Sequence, residues 1–310
     1  MVIFKSISDI KEKLRHPAAT IGNFDGVHLG HREIFRRVRE RAQAQDGVSV
    51  VITFVPHPLQ VVSPGRRVKL ITGYQEKQSL IEASGIDYLL EIPFDLGFSS
   101  ISASQFVEQV LVEALGVECL VIGYDYAFGR GREGDVSLLR ELGERLCFSV
   151  EVLQPISNGA TVYSSTAVRN MVIEGDVKGA VLVLGRHYSV TGTVVLGHQR
   201  GRGLGFPTAN IETDNELLPA AGVYAVKVRI GTALYDGACN IGTNPTFKND
   251  RLSLEVFLFD FDGDLYGREI SVLFIERLRG EMRFANPEAL KEAIAADVAR
   301  CREILGSTLC

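Results

Sequence analysis

Two histidines in this sequence have the spacing and surroundings of a phosphate-binding pair. His28 and His31 lie in the segment GNFDGVHLGH, between a predicted strand and a predicted helix. The first turn of a helix presents unpaired N–H groups and a partial positive charge, which favour an anion. Glycines at 22, 26 and 30 let the backbone approach it closely. Both imidazoles could then donate hydrogen bonds to phosphate oxygens. The alternative is a glycine–aspartate turn with two structural histidines.

A glycine-rich segment in the second half of the chain, GHQRGRGLGFPTAN at 197–210, is a second candidate for phosphate binding. The N–H groups of such a loop could curl around a phosphate, and Arg200 and Arg202 would add positive charge. No helix pattern follows the segment, so it is neither a P-loop nor a dinucleotide-binding loop. The glycines alone are equally consistent with a flexible surface loop.

Two further patterns could take part in chemistry. The segment SSTAVR at 164–169 combines hydroxyls at a predicted helix start with an arginine one turn later. These groups could hold and neutralise a phosphate, although the same pattern is a common helix cap. Glu255 lies among apolar neighbours in a predicted strand, so its carboxylate either belongs to a site or faces solvent. Periodicity alone leaves both positions open.

The elements that must position these residues change character near residue 184. Up to about residue 183, strand-like runs alternate with amphipathic segments, which predicts a doubly wound parallel α/β sheet with ligands at the carboxyl ends of its strands. The predicted strands are 18–24, 48–54, 88–92, 119–123 and 148–153, and the predicted helices are 31–45, 74–84, 104–115 and 136–145. From Tyr188 onward, short strands without helices predict an all-β sheet or barrel, closed by a helix at 287–305. We expect two domains, 1–183 and 184–310.

The composition narrows the class of protein. The 310 residues are 46% hydrophobic and 23% charged, with a net charge of −5. This balance is typical of a globular protein and argues against nucleic-acid binding, which usually requires a basic face. The five cysteines form no CxxC pair, so reduced thiols and a cytoplasmic location are expected. No apolar run has the length of a signal peptide or a membrane span, so no membrane partner is expected. An oligomeric state does not follow from these patterns.

The segment FDGVHLGH resembles the HxGH signature of the nucleotidyltransferase superfamily, in the form found in bacterial bifunctional riboflavin kinase/FAD synthetases. The segments TFVPHP at 53–58, VIGYDYAFGRGREG at 121–134 and SSTAVR follow in the order of that family. The resemblance implies that ATP adenylylates FMN, with His28 and His31 as catalytic residues at the ATP phosphates. It further implies ATP contacts from Gly22, Asn23, Phe24, Ser164, Ser165, Thr166 and Arg169, and flavin contacts from Pro56, His57 and Asp125.

The second half resembles the riboflavin kinase module of the same family. The resemblance rests on LGRHYSVTGTV at 184–194, PTAN at 207–210, GVYA at 222–225, NIGTNPTF at 240–247 and LYGREISVLFIERLRGEMRF at 265–284. It implies a six-stranded antiparallel barrel with a terminal helix, and Glu255 as the base that accepts the proton of the riboflavin hydroxyl. It also implies Mg²⁺ as a cofactor of ATP, bound by Thr208 and Asn210. The implied ATP contacts are Gly197, Gly203, Gly205, Pro207, Thr208 and Asn210, and the implied flavin contacts are Arg279, Arg283 and Phe284. The family commonly has a histidine where this chain has Phe257.

Riboflavin, FMN, FAD and ATP are therefore the expected substrates and products. One alternative is a nucleotidyltransferase of another substrate class, such as a pantetheine-phosphate or nicotinamide-mononucleotide adenylyltransferase. It would explain HxGH and SSTxxR but leave residues 185–306 without a role. A second alternative is a flavin-binding protein without catalytic activity. The joint presence of His28, His31, Thr208, Asn210 and Glu255 argues against it, because the loss of any one would disable a step.

Overall fold

The structure, a computed structural model, describes residues 1–63, 65, 68–157, 159, 161–197, 203, 205–243 and 252–307. Arg200, Gly201 and Arg202 of the glycine-rich segment lie outside the described residues, as do residues 244–247 of NIGTNPTF. The chain divides into two compact units, Met1–Ser164 and Ser165–Cys310.

Six parallel strands form the sheet of the first unit. They are β1 (Val2–Phe4), β2 (Ala18–Ile21), β3 (Ser49–Val55), β4 (Tyr88–Pro93), β5 (Cys119–Gly123) and β6 (Ser149–Leu153). Their order in the sheet is β1-β4-β3-β2-β5-β6, which confirms the predicted doubly wound parallel sheet. All four residues of β2 are buried, as is typical of a strand covered on both faces. Only β1 was not predicted, because three residues are too few to show a period.

Helices cover this sheet. They are α1 (Leu29–Ala44), α2 (Pro58–Val62), α3 (Tyr74–Ala83), α4 (Leu96–Ser99), α5 (Ala103–Phe106) and α6 (Val136–Leu146). The α5 turn continues as a π-helix over Val107–Ala114, where a single α-helix was predicted. The helix α1 buries Phe35, Val38 and Ala42, whose spacing of three and four residues forms one apolar face.

The direction in which strands are added reverses next to β2. From β2 the chain adds β3 and β4 on one side of the sheet, and then β5 and β6 on the other. Ligands of such sheets usually bind in the crevice at the carboxyl ends of the strands where this reversal occurs. The loops that follow β2 and β5 begin at Gly22 and Tyr124, so both lie at this crevice.

Over its described residues, the second unit contains two helices, six barrel strands and a terminal helix. These are α7 (Ser165–Glu174), α8 (Val177–Leu184), β7 (Tyr188–Val195), β8 (Ala209–Glu212), β9 (Gly222–Ile230), β10 (Ala233–Thr243), β11 (Leu252–Leu258), β12 (Glu269–Arg279) and α9 (Pro287–Ser307). The strands close into a barrel in the order β10-β11-β8-β7-β12-β9, and all of its pairs are antiparallel. This confirms the six-stranded antiparallel barrel that the resemblance implied.

The terminal helix packs on the outside of the barrel. Cys301 and Leu305 of α9 form a buried cluster with Ala225, Phe259 and Ile275 of the barrel. The helix begins as predicted, since the side-chain oxygen of Asn286 accepts the N–H of Ala289 at 2.8 Å. Within the described ranges, none of the helices combines the length and apolar character that a membrane crossing requires.

Candidate active sites

The loop between β2 and α1 holds the two predicted histidines on a strained backbone. Phe24 (φ 48°), Gly26 (φ 82°) and Val27 (φ 38°) all lie in the left-handed region. A β-branched residue such as valine rarely adopts this conformation, and strain of this kind clusters at functional sites. Packing holds the loop in place, because Phe24 and Val27 are buried in one cluster with Phe35.

Asp25 fixes this loop to the segment before α3. Its buried carboxylate accepts the N–H groups of Ile71 at 3.0 Å and Thr72 at 3.2 Å. The Thr72 hydroxyl in turn accepts the N–H of Gly26 at 3.2 Å. A carboxylate held by backbone donors in this way stabilises the conformation of the loop.

His28 and His31 lie against each other at the start of α1. The Nδ1 atom of His28 accepts the N–H of His31 at 3.4 Å and so caps the helix. In neutral His28 the proton is therefore on Nε2, which can act as a donor. The two rings stack with their centroids 3.5 Å apart, and the Phe24 ring meets His31 edge-on at 5.2 Å. The Nδ1 atom of His31 is buried, and no described group is its hydrogen-bond partner. An unsatisfied buried polar atom of this kind indicates a functional position.

Burial, with His28 and Lys77 nearby, holds the pKa of His31 well below its ordinary value of 6.5. His31 is therefore neutral at neutral pH and can donate a hydrogen bond without carrying charge. The unfolded chain takes up a proton here as the pH falls below 6.5, whereas the folded chain does not. The contribution of His31 to stability is thus complete above pH 6.5 and decreases as the pH falls.

Gly30 shows why the HxGH motif requires a glycine. A Cβ atom at this position would lie 3.1 Å from Cε1 and Nδ1 of His28, and 3.5 Å from Cβ of Tyr163. The absence of a side chain lets His28 and Tyr163 close over the first turn of α1. Ser164 follows Tyr163 directly. Ser165, Thr166 and Arg169 lie on α7, which belongs to the second unit.

A buried lysine that was not predicted lies beside the same loop. Lys77 of α3 is 5% exposed, and its Nζ atom donates to the Asn23 carbonyl at 3.3 Å and to the Thr53 hydroxyl at 3.1 Å. Burial lowers its pKa to about 8, against the attraction of Asp25 and Glu91. Its spacing of four residues from Ile81, which is also buried on α3, is the sequence signal that could have indicated its burial.

The predicted flavin contacts of the first unit follow β3 and β5. Pro56 and Asp125 are exposed. His57 is buried, and the Nδ1 atom of its ring accepts the backbone N–H of Leu59 at 3.2 Å. The backbone N–H of His57 donates to the Tyr74 hydroxyl at 3.1 Å. These hydrogen bonds position His57 at the start of α2.

Half-buried aromatic rings that were not predicted lie at the ends of β3 and β4. Phe54, Phe94 and Phe98 contact one another, with ring centroids 5.5 to 6.0 Å apart. Such a cluster offers a flat apolar surface of the kind on which another aromatic system can stack.

In the barrel, three polar residues form a row across adjacent strands. Glu255 of β11 pairs in register with Asn210 of β8 on one side and Asn240 of β10 on the other. Directly opposed residues of antiparallel strands have their side chains on the same face, with Cβ atoms about 5 Å apart. Leu254 and Val256 are buried in the barrel interior. Glu255 therefore lies on the outer face of the barrel, where it is half-buried between two amides.

The other predicted ATP contacts of the barrel lie around this row. A Cβ atom at Gly197 would be 2.1 Å from the amide nitrogen of Asn210, so the backbone at Gly197 passes directly over that side chain. Thr208 is half-buried just before β8. The Phe206 ring meets Phe257 of β11 edge-on at 5.6 Å and anchors the segment that leads to Thr208. Phe257 thus has a packing role in this chain. The described loop residues Gly203, Gly205 and Pro207 are exposed.

The predicted flavin contacts of the barrel follow the end of β12. The guanidinium of Arg279 donates to Asp297 of α9, from Nε at 3.0 Å and from Nη2 at 2.6 Å. It also lies 5.7 Å from the centroid of the Phe284 ring. Arg279 therefore links the end of β12 to α9 and positions Phe284. Arg283 is exposed.

Comparisons with known proteins match two family models to two consecutive parts of the chain. A family model described as FAD synthetase matches residues 10–167, and one described as riboflavin kinase matches residues 184–305. The bifunctional riboflavin kinase/FMN adenylyltransferase of Escherichia coli (strain K12) is 39% identical over 93% of each chain. The protein of the same name from Pseudomonas fluorescens is 39% identical over 98% of each chain.

The chain belongs to the bifunctional riboflavin kinase/FMN adenylyltransferase family. It is an enzyme of flavin cofactor biosynthesis, with the adenylyltransferase module first and the kinase module second. The two activities imply the use of a nucleotide. The alternative of a nucleotidyltransferase with no role for residues 185–306 is excluded, because the riboflavin kinase model covers this region.

A solved structure also resembles the whole chain. The crystal structure of a protein described as a macrolide-efflux protein from Streptococcus pneumoniae has a TM-score of 0.88 and 29% identity, and the match covers 99% of each chain. The match supports the described fold over nearly the whole chain.

Replacing Arg279 by alanine is expected to lower the free energy of unfolding of this enzyme by about 1–3 kcal/mol, because Asp297 would lose its charge-assisted hydrogen bonds. Urea denaturation measures the effect. Replacement of Asp297 by alanine breaks the same pair and should destabilise to a similar extent. Unchanged stability of Arg279→Ala with a raised KM for riboflavin would instead support a direct flavin contact.

Proposed function

We propose that the enzyme phosphorylates riboflavin at the outer face of the barrel and adenylylates FMN at the carboxyl edge of the parallel sheet. The observation that carries this assignment is the presence of one separate constellation in each unit. Stacked histidines lie at a helix start in the first unit, and a carboxylate lies between two amides in the second. Each constellation has the groups that one of the two reactions needs.

In the adenylyl transfer, an oxygen of the FMN phosphate attacks the α-phosphorus of ATP. The bond from this phosphorus to the bridging oxygen breaks, and pyrophosphate leaves. The reaction needs no covalent enzyme intermediate, so catalysis depends on positioning and on stabilising the negative charge that develops. The N–H groups of the first turn of α1 and the imidazoles of His28 and His31 would supply donors for the phosphate oxygens. Gly22, Asn23 and Phe24 would shape the same loop.

The remaining assignments for the adenylyl transfer concern the triphosphate and the flavin ring. Ser164, Ser165, Thr166 and Arg169 stay predicted contacts of the triphosphate. The flavin ring would lie near Pro56 and Asp125, and the cluster of Phe54, Phe94 and Phe98 offers it an aromatic surface. His57 stays a predicted contact of the flavin, and its hydrogen bonds with Leu59 and Tyr74 would hold it in place.

In the kinase reaction, Glu255 accepts the proton of the riboflavin 5′-hydroxyl as its oxygen attacks the γ-phosphorus of ATP, and ADP leaves. Asn210 and Asn240 flank the carboxylate and would orient it through their amides. Gly197 and the exposed loop residues Gly203, Gly205 and Pro207 would approach the phosphates of ATP. Phe284, which Arg279 positions, and Arg283 would lie on the flavin side.

The residues of the barrel fit a magnesium ion bound together with ATP. Thr208 offers a hydroxyl and Asn210 an amide oxygen, and such neutral oxygen donors suit Mg²⁺, which takes its other ligands from phosphates and water. The close passage of Gly197 over the Asn210 amide restricts that side chain, which would help to direct its oxygen. When bound, the ion would neutralise charge on the phosphates of ATP.

The boundary of the two domains and the location of the enzyme complete the proposal. We place the boundary at 183/184, so that α7 and α8 precede the kinase barrel in the sequence. The cytoplasmic location is proposed from the cysteines, since Cys119, Cys147, Cys239 and Cys301 are free thiols.

The proposal is tested by incubating the purified enzyme with riboflavin, ATP and Mg²⁺ and separating the products over time. FMN should appear first, and FAD and pyrophosphate should follow. Chelation of Mg²⁺ should stop FMN formation. Consumption of ATP without flavin products would contradict the proposal. So would turnover of nicotinamide mononucleotide or pantetheine phosphate in place of FMN.

A further inference from the structure

Lys77 has an environment that a purely structural lysine does not require. Its ammonium is buried, and among the residues that the structure describes no carboxylate forms an ion pair with it. Glu91, the buried acid of β4, instead accepts hydrogen bonds from Lys5 at 2.5 Å and from Gln78 at 2.9 Å. Burying an ammonium without a paired charge is unfavourable, and costly groups of this kind concentrate at functional sites.

The hydrogen bonds of Lys77 converge on the loop that carries the histidines. The Asn23 carbonyl accepts two of them, one from Lys77 at 3.3 Å and one from the Thr53 hydroxyl at 3.2 Å. Lys77 also donates to Thr53 at 3.1 Å, so the three groups form a closed triangle. Asn23 immediately precedes Phe24, where the strained turn begins. The triangle therefore fixes the start of this turn to β3 and α3.

We infer that Lys77 is a further positioning residue of FMN adenylylation, which holds the loop 22–28 in its strained conformation and places a positive charge beneath the phosphate site. The inference rests on the proposed assignment of this reaction to the first unit. The charge matters because the neutral imidazole of His31 supplies a donor without charge, whereas the negative phosphate of FMN and the negative triphosphate of ATP must approach each other. An ammonium that forms no ion pair with a described carboxylate would lower the energy of their approach.

Replacing Lys77 by methionine removes the charge and both hydrogen bonds while filling a similar volume. FAD formation from supplied FMN is expected to fall about 10- to 100-fold, mainly in kcat, as for the loss of hydrogen bonds from a charged donor. Phosphorylation of riboflavin by the same preparation should be unchanged. The melting temperature should stay the same or rise, because the variant no longer buries an ammonium.

The dependence of FAD formation on pH distinguishes this role of the Lys77 charge from a purely structural role. Lys77 faces Asp25, Glu91 of β4, His31 of α1 and the ring of Tyr74, and its pKa is about 8. FAD formation by the wild type should therefore decline as the pH rises through about 8, where the charge is lost. The Lys77→Met profile should lack this decline. The stability cost of the buried charge is complete below pH 8 and disappears as the pH rises towards 10.5, so the two melting temperatures should converge in that range.

Two further variants complete the experiment. Lys11→Met makes the same change at an exposed lysine of the first unit and should leave FAD formation unchanged. Thr53→Val removes the two sides of the triangle that use the Thr53 hydroxyl, but it keeps the charge and the hydrogen bond from Lys77 to the Asn23 carbonyl. It should therefore give a smaller loss and keep the alkaline decline. Normal FAD formation by Lys77→Met, or equal loss of both activities with a lower melting temperature, would overturn the inference. Absence of FAD formation by the wild type would instead contradict the proposed function.

Discussion

Replacing His28 by alanine is expected to abolish FAD formation while leaving FMN formation intact. The His28 ring stacks on His31 and caps α1, so the variant loses a donor to the phosphates at the point where charge develops. Loss of one such donor typically lowers kcat about 100- to 1000-fold. The measurement is FAD formation from supplied FMN and ATP, with riboflavin phosphorylation followed in the same samples.

The matched control is His28→Asn, because asparagine is a good helix cap but has no imidazole. It should keep α1 intact and still lack FAD formation, which would assign the loss to the imidazole and not to fraying of the helix. Equal loss of both activities in His28→Ala would contradict two separable sites. Full activity of His28→Asn would show that capping is the only contribution of this side chain.

Replacing Glu255 by glutamine is expected to lower the rate of riboflavin phosphorylation about 100-fold or more. This is the usual contribution of a general base. The substitution keeps the size and hydrogen-bonding capacity of the side chain, so the row with Asn210 and Asn240 should persist. Only the ability to accept a proton at neutral pH is lost. Steady-state assays with riboflavin and ATP measure the loss, while supplied FMN should still be adenylylated.

Glu269→Gln is the corresponding control, since Glu269 is an exposed glutamate at the start of β12 in the same barrel. It should keep normal activity in both reactions. Undiminished kinase activity in Glu255→Gln would refute the assignment of the base and would direct attention to the oxygen donors around Asn210.

Much of the fold could be predicted from local patterns. Five of the six strands of the parallel sheet lie where alternating apolar runs were predicted, and β5 has the predicted bounds. The sheet strand β1 and the barrel strand β8, of three and four residues, were not predicted from periodicity. Strands of that length contain too few residues to show an alternation, and they form because neighbouring strands already present their hydrogen-bonding edges.

The candidate sites were predicted less completely than the fold. The residues in contiguous motifs, such as His28 and His31, could be named because their chemistry and their spacing coincide in a few positions. Lys77 and Asn240 could not, because the proposed role of each depends on residues far away in the sequence. Arg279 was predicted only as a flavin contact. The structure adds an ion pair with the carboxylate of Asp297, which lies 18 residues further along the chain.

The sequence by itself determined the class of each unit and the kind of chemistry at its loops, because periodicity and motifs are properties of neighbouring residues. Only the tertiary structure decided which side chains share a face and which charges are buried. Glu255 meets Asn210 and Asn240 through the pairing register of the barrel strands, and Lys77 is enclosed by β3, α3 and the loop at Asn23. Both arrangements depend on contacts between distant segments, which form only when the whole unit folds.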